Sequence, residues 1–382
     1  MKFNTHSSEN LRIPIASPDI GEEEKEMLVR VVEEGWISGI SPYVKEFENM
    51  FSSWQGVRHS IAVSSGTAAL HLALMALGIG PGDEVIVPDL TFAAPANMSL
   101  AVGAKPVFVD VTREYWCIDP EQVKRSITSR TKAIVVVHLY GHPAKMNEIM
   151  EIAERYGLYI VEDCAEAHGA EFMSGKVCTF GHVGAFSFYA NKVITTSEGG
   201  MVVTNDNELA DKIRLMRDHG MRPRYWHVVL GFNYRMTGLQ AALGIVQMKK
   251  IDRLIEKKRR VARIYAEELQ SVPGIELHPE MPWAKCVYWL YSILIDKREF
   301  GANRDYVAEY LAKHGIETRK FFHPLHIMPL YRQHIDVNAR YMVSEYLSDH
   351  GLNLPSGPKI TDEEVIYVAG IIKKLRHNTI HN

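Results

Sequence analysis

The sequence predicts an α/β fold, with a large domain on a mostly parallel sheet and a smaller α+β domain after it. From residue 60, short apolar β-branched runs alternate with longer stretches of helical periodicity. Those runs are continuous, not alternating apolar and polar, as expected for strands covered on both faces. After residue 271 the texture changes to an aromatic-rich run and two amphipathic stretches. At roughly 150 residues per domain, 382 residues suit two domains. We expect a large domain over 1–252, including an N-terminal arm, and a small one over 253–382.

The elements follow in order. Ser60, Ile61, Ala62 and Val63 read as a strand ending at the turn Ser64, Ser65, Gly66. A helix follows, since Leu70, Leu74 and Leu77 recur at i, i+4 and i+7 before Gly78 stops it. Strands are expected over 84–88, 106–111, 133–141 and 158–163, with a helix from Met146 to Tyr156. Two more strands, 184–189 and 200–204, precede a helix from Asn207 to Arg217. Residues 237–248 read as an apolar helix, and 251–270 as a second, charged one. The basic run Lys257, Lys258, Arg259, Arg260 on it reads as a solvated face or connector. The small domain is expected to hold a strand over 287–296, a helix over 303–314 and a closing helix over 362–375.

Composition narrows the function. Forty-three Lys and Arg against 46 Asp and Glu give a net charge of -3, which offers nucleic acid or an anionic membrane no electrostatic footing. No apolar run approaches the roughly 18 residues of a membrane span. The opening MKFNTHSSENLRIPIA lacks the apolar core of a signal peptide. Cys117, Cys164, Cys178 and Cys286 are far apart in sequence with no metal-type spacing, and read as reduced thiols of a cytoplasmic enzyme.

Three segments carry chemistry. Ser64, Ser65, Gly66 and Thr67 lie between a strand and a helix N-terminus, where backbone N–H groups favour a phosphate, although an ordinary capped helix looks the same. Asp163 ends a strand, and ligands of open α/β sheets bind beyond such ends. It suits a metal, an acid catalyst, a protonated ring nitrogen or a helix cap equally. Lys192, between an apolar strand and the turn at Gly199 and Gly200, would be partly desolvated and so nucleophilic. Phosphate cradle, lysine and carboxylate together are what pyridoxal phosphate requires: an anion site, a Schiff-base amine and a partner for the pyridine nitrogen. His323 and His326, separated by Pro324, invite a metal reading that no nearby cysteine or acidic cluster supports; Trp226 and His227 read as pocket wall or core.

The segments SSGTAALHLAL, GDEVIVPDLTFAAPAN, VEDCAEAHGA, FSFYANKVITTSEGGMVVTND and GFNYRMTGLQAALG resemble, in this order, motifs of the DegT/DnrJ/EryC1/StrS sugar aminotransferases. The resemblance spans nearly the whole chain from about residue 12. WISGISPYVKEFE, the FYxNK form of the lysine motif and RYWHVVLGFNYRMT resemble its GDP-perosamine-forming branch. It implies fold type I of the pyridoxal phosphate enzymes, with a seven-stranded sheet, and a homodimer whose active sites are shared between subunits.

By the same resemblance, Lys192 would bind the cofactor and shuttle the proton, and Asp163 would face the pyridine nitrogen. Glu166 would lie near the ring hydroxyl and Phe92 on the ring face. Gly66, Thr67 and Ser187 would hold the phosphate, with Asn233 reaching it from the partner. His168, Glu198 and His323 would contact substrate, and Arg235 the donor carboxylate. The substrates implied are L-glutamate and a nucleotide-linked keto-sugar, GDP-4-keto-6-deoxymannose first, for O-antigen or other lipopolysaccharide synthesis.

Two departures matter. Ser197 stands where the family's ITTGEGG turn has Gly, which could reshape the lip of the pocket and admit another sugar, such as an oxidised 3-deoxy-octulosonate. Relatives with His at the lysine position dehydrate sugars; Lys192 favours amination. A binding protein without turnover, or an aldolase using Lys192 without cofactor, are the readings from outside the class.

Overall fold

The computed structural model describes residues 12–335 and 339–380. Most of the N-terminal segment read above for a leader (residues 1–11) lies outside the described residues.

Helices α1 (Glu22–Glu33) and α2 (Pro42–Gln55) open the chain, neither of them anticipated. Ser41 caps α2 by accepting from the Tyr43 N–H, Pro42 sets its first turn, and Gly56 ends it in the left-handed region. The large domain then alternates strand and helix: β1 (His59–Val63), α3 (Gly66–Ala76), β2 (Glu84–Pro88), α4 (Ala94–Ala101), β3 (Lys105–Val109), α5 (Pro120–Arg125), β4 (Thr131–Val137), α6 (Met146–Tyr156) and β5 (Tyr159–Asp163). Short strands β6 (Glu171–Phe172) and β7 (Gly175–Lys176) precede β8 (Val183–Ser187), β9 (Gly200–Thr204) and α7 (Asn207–Arg217).

Seven of these strands form one sheet in the order β1-β9-β8-β5-β4-β2-β3, in which only the pairings of β9 are antiparallel. Successive residues of each strand enter opposite cores. Val85, Val87, Ala133, Val135 and Val161 pack with α3, whereas Ile86, Ile134, Val136 and Ile160 join Phe47 and Phe51 of α2 on the other face. This two-sided burial is why the strands read as unbroken apolar runs.

The expected strand over 133–141 stops at Val137, because Tyr140 has φ 51° and lies in a short 3-10 turn. A bulky residue with positive φ cannot continue a strand. The strands expected over 106–111 and 184–189 likewise end two residues early.

The two helices expected over 237–248 and 251–270 are one, α8 (Gly238–Leu269). Thr237 and Gln240 close its start as a capping box, no Pro follows, and the interior Gly244 packs against Phe47 without breaking the helix. At 32 residues it spans about 48 Å. Its first half, through Ile255, belongs to a core of the large sheet; Val261, Tyr265 and Leu269 belong to the core of the small domain.

The small domain holds β10 (Ile275–Leu277), β11 (Ala284–Lys285), β12 (Tyr291–Ile295), α9 (Lys297–Phe300), α10 (Arg304–Lys313), β13 (Arg319–Lys320), α11 (Met342–His350), β14 (Gly351–Leu354) and α12 (Asp362–Ile380). Its sheet runs β10-β12-β14-β13, and β11 leaves it to pair with β6 of the large domain. The strand expected over 287–296 begins only at Tyr291. Residues Val287 and Trp289 donate instead to the carbonyls of Gly141 and Tyr140, with Tyr288 at φ 49° between them.

The basic run on α8 is not uniformly solvated. Arg259 pairs with Glu280 and Arg260 with Asp362, but Lys258 is fully buried, its ammonium donating to the carbonyls of Trp289 (2.8 Å) and Ser356 (3.0 Å). Burial pushes its pKa down to about 7. We expect Lys258→Met to lower unfolding stability by about 2–4 kcal/mol, since two buried carbonyls lose their donor. A lysine with a depressed folded pKa binds fewer protons folded than unfolded, so the wild type gains stability as pH rises from about 7 toward its unfolded value. Denaturant midpoints across that range should rise for the wild type and stay flatter for the variant.

The cysteines differ from expectation. Cys117 and Cys286 are free and buried, but the chain folds Cys164 and Cys178 into a disulfide, with Cα atoms 6.3 Å apart. The pairing joins the end of β5 to the segment before β8, a proximity that spacing along the chain does not reveal.

Candidate active site

A cavity of about 410 Å³ opens at the carboxyl ends of β1, β5 and β8 and is roofed by small-domain residues. Its lining includes Ser65, Gly66, Thr67, Phe92, Asp163, Glu166, Ser187, Lys192 and Glu198, and, beyond expectation, Tyr189, Asn191, Trp289, Arg319 and Phe322.

One end is the start of α3. Ser65 caps the helix by accepting from the Ala68 N–H at 3.1 Å, and no acidic residue occupies the first turn, so the helix end keeps its positive character for an anion. Ser187 of β8 closes this end so tightly that a Cβ on Gly66 would meet its Cβ at 2.8 Å. Gly200 is equally constrained, since a Cβ there would meet the Ser65 carbonyl at 2.4 Å.

Asp163 is the last residue of β5 and buried. Its Oδ1 accepts from the Ala165 N–H at 3.0 Å, while Oδ2 has no protein partner among the described residues. Burial raises its pKa, opposed by the Ala165 N–H and by the charge of Lys192. Glu166 accepts from the Tyr140 N–H at 2.8 Å; burial pushes its carboxyl up to about 7, with Lys192 pulling the other way. The left-handed turn at Tyr140 is what aims that N–H inward.

Lys192 follows β8 in a turn closed by its N–H donating to the Tyr189 carbonyl at 2.9 Å. Its Nζ lies 3.9 Å from Glu166 Oε1 and 3.9 Å from the centre of the Trp289 ring. Desolvation lowers its pKa, and the carboxylates of Glu166 and Asp163 partly restore it. A buried amine drawn toward neutrality is a nucleophile near neutral pH. Trp289 is fixed from both ends: its Nε1–H donates to the Asn191 carbonyl at 2.8 Å, and Lys258 holds its own carbonyl. Phe92, 59% exposed, forms the facing wall with Phe322, ring centres 6.0 Å apart.

These residues fit pyridoxal phosphate. The α3 N-terminus with Ser187 is an anion cradle, Oδ2 of Asp163 is a free acceptor at the floor, and a desolvated lysine stands between them.

Other expected site residues lie elsewhere. His168 is fully buried between Phe186 and Phe188 and does not line the cavity; burial lowers its pKa to about 3. Arg235 is held by Asp218, and Asn233 is exposed in an isolated bridge to Asp218; neither lines this chain's cavity. His323 is exposed. His326 bonds Asp89 (2.8 Å) and Glu345 (3.2 Å) and stacks on Tyr341. His138, Glu162 and Cys164 cluster as metal ligands might, but both His138 nitrogens are bonded, to Glu162 and the Ala144 N–H, and Cys164 is in the disulfide.

Ser197, next in the chain to Glu198 of the cavity lining, has φ 73°, its N–H bonded to Thr195 Oγ1 at 2.9 Å. We expect Ser197→Gly to gain about 0.5–1 kcal/mol by relieving left-handed strain. Thermal unfolding tests this; a loss would mean the serine hydroxyl contributes more than the strain costs.

A profile of the DegT/DnrJ/EryC1/StrS aminotransferase family matches residues 18–373. The chain is 42% identical to a GDP-perosamine synthase of Escherichia coli O157:H7, covering 95% of this chain and 98% of the relative. It is 40% identical to a GDP-perosamine synthase of Vibrio cholerae, covering 94% and 98%. Among solved structures, DesV of S. venezuelae in complex with a ketimine intermediate superposes with a TM-score of 0.88 at 35% identity, over 93% and 94% of the two chains. The putative sugar aminotransferase Spr1654 of Streptococcus pneumoniae in its PLP form gives 0.91 at 27% identity, over 97% and 100%.

Proposed function

The chain belongs to the DegT/DnrJ/EryC1/StrS aminotransferase family and is a pyridoxal phosphate-dependent sugar aminotransferase, and from that premise we propose that it moves the amino group of L-glutamate to GDP-4-keto-6-deoxymannose. The single observation carrying the choice of sugar is the likeness, over nearly the full length of both chains, to relatives named GDP-perosamine synthase. The product would serve surface polysaccharide such as O-antigen, made in the cytoplasm. In keeping with this, no helix among the described residues is long and apolar enough to cross a membrane.

The cofactor, when bound, supplies the electron sink that lets the Cα–H bond of an amino acid break. The phosphate would be held by the α3 N-terminus, Gly66, Thr67 and Ser187. Asp163 would keep the ring nitrogen protonated, Glu166 would face the ring hydroxyl, and Phe92 would cover the ring. Lys192 Nζ takes the proton from Cα of the donor in the first half of the cycle. In the second half it returns a proton to the former keto carbon of the sugar. Trp289 and Glu166 hold that amine in reach of both positions. Glu198 would border the sugar at the lip.

A homodimer with shared sites is part of the proposal. Tyr225, Trp226 and Leu230 are 75%, 67% and 70% exposed on one segment, an apolar surface suited to a second copy, and Asn233 and Arg235 follow on the same segment. In a dimer they would reach the partner's cavity.

The test is a half-reaction titration. L-glutamate should bleach the visible band of the Lys192-bound cofactor, and after its removal GDP-4-keto-6-deoxymannose should restore it. Restoration only by another keto-sugar would replace the acceptor, with the turn at Ser197 as the place to look. No response to any amino acid would overturn the proposal.

A further inference from the structure

Two aromatic rings of the cavity wall come from different domains, Phe92 after β2 and Phe322 after β13, with ring centres 6.0 Å apart. A contact close to both in the chain joins the segments that carry them. Asp89, three residues before Phe92, is fully buried just beyond β2 and turns both oxygens to one residue of the roof segment. Its Oδ1 accepts from the His326 backbone N–H and its Oδ2 faces His326 Nδ1, each at 2.8 Å. The Asp89 carbonyl also accepts from the Leu325 N–H at 2.8 Å. The other ring nitrogen of His326, Nε2, faces Oε1 of Glu345 on α11 at 3.2 Å, and the ring stacks on Tyr341 with centres 4.4 Å apart. Leu325 and Tyr331 of the same segment are buried in a core of the large sheet, so the roof is docked here.

An imidazole with a carboxylate oxygen at each nitrogen is satisfied only when both nitrogens carry a proton; the neutral ring would turn a lone pair toward an anion. The buried Asp89 carboxylate in turn needs that positive charge. We propose that His326, an imidazolium held between Asp89 and Glu345, is a positioning residue that clasps the roof to the end of β2 and so sets the spacing of Phe92 and Phe322 around the cofactor. The spacing matters most in the half of the cycle when the cofactor carries the amino group and has no bond to Lys192. The phosphate cradle, Asp163 and these walls then retain it. Burial disfavours the His326 cation, but the hydrogen bonds and charges of Asp89 and Glu345 outweigh it and raise its pKa from the ordinary 6.5. Burial raises the pKa of Asp89 too, with His326 opposing and Asp110 adding to the rise. A histidine whose folded pKa is raised binds more protons folded than unfolded. The clasp is therefore whole below 6.5 and is lost as pH climbs through the folded pKa. The inference rests on the reading of Phe92 as the cofactor's wall, not on the choice of sugar.

The experiment titrates the full-length protein, freed of cofactor, with pyridoxamine phosphate by calorimetry from about pH 6 to about pH 9.5. It compares wild type with His326→Gln, Glu345→Gln and Phe92→Ala. Each variant's Kd is taken as a ratio to wild type at the same pH, which cancels the ligand's own titration. Gln at 326 keeps a neutral donor for Asp89, and Glu345→Gln alters only an exposed partner, so both variants should fold. His326→Gln should raise the Kd about 10-fold at the acid end, the scale of one charged hydrogen bond. The ratio should fall toward about twofold at the alkaline end, as the wild type loses its own clasp. In the Glu345→Gln background that decline should move to lower pH, because one of the two carboxylates facing the ring is gone. Phe92→Ala should weaken binding at every pH, and adding His326→Gln to it should cost little more. An unchanged Kd for His326→Gln at the acid end would overturn the clasp. So would a ratio constant across the range, the mark of packing without charge, or a decline that Glu345→Gln fails to move. If Phe92→Ala binds as the wild type does, the reading of Phe92 as the cofactor's wall fails first and takes the clasp with it.

Discussion

Replacing Lys192 with Ala is expected to abolish turnover, with a fall of at least about four orders of magnitude. Two roles end together: the covalent hold on the cofactor and the proton transfer at Cα. The phosphate cradle, Asp163 and Phe92 remain, so cofactor should still bind, now without the absorbance of its bond to lysine. The electrostatics shift as well. Glu166 and Asp163 lose the cation that opposes their protonation, and both carboxyls should titrate higher. Trp289 loses the ammonium 3.9 Å from its ring, which its fluorescence should register. Because the cavity reaches solvent, a small primary amine added to the variant should restore part of the proton transfer. Retained turnover in Lys192→Ala without added amine would sink the mechanism, and a normal visible band would show that another amine holds the cofactor.

How much of this was readable beforehand depends on what kind of contact places each residue. Asp163, Lys192, Gly66 and Thr67 are close to strand ends, and the periodicity of β1, β5 and β8 locates those ends within a residue or two. In a parallel sheet the ends converge, so local pattern alone brings these groups together. Trp289, Arg319 and Phe322 arrive from the other domain, through a geometry no local spacing encodes. Trp289 was hidden inside an aromatic run that reads as strand; the left-handed residues Tyr140 and Tyr288 peel it away to lie against Lys192. Lys258 misled in the opposite sense. Its neighbours Lys257, Arg259 and Arg260 are the ordinary surface of a long helix, and only the returning carbonyls of Trp289 and Ser356 make its burial tolerable. Helices α1 and α2 went unread because they precede the first strong strand and take their packing from α8, two hundred residues downstream.

Asp163→Asn should be the second most damaging single change, lowering kcat/KM by about 10²–10³-fold while leaving the cofactor bound. The amide keeps the shape and can still accept from the Ala165 N–H, so the end of β5 should fold as before. What it loses is charge. A buried carboxylate with one oxygen unpartnered holds a proton on the ring nitrogen that faces it, and a neutral amide does not. Burial alone would protonate Asp163 itself; the nearby Lys192 and the backbone N–H oppose that, and a protonated ring nitrogen would add a stronger opposing charge. The floor of the site is therefore mutually dependent: the cation keeps the acid ionised and the acid keeps the cation protonated. Removing the acid should slow Cα–H cleavage more than binding, so the loss should fall on the donor half-reaction rate and leave the apparent Kd for L-glutamate within a few-fold. A deuterium isotope effect on Cα–H cleavage larger in the variant than in the wild type would show that this step has become limiting. A variant with near-normal rates would mean that the ring nitrogen's proton is not needed here, or that Asp163 does not face it.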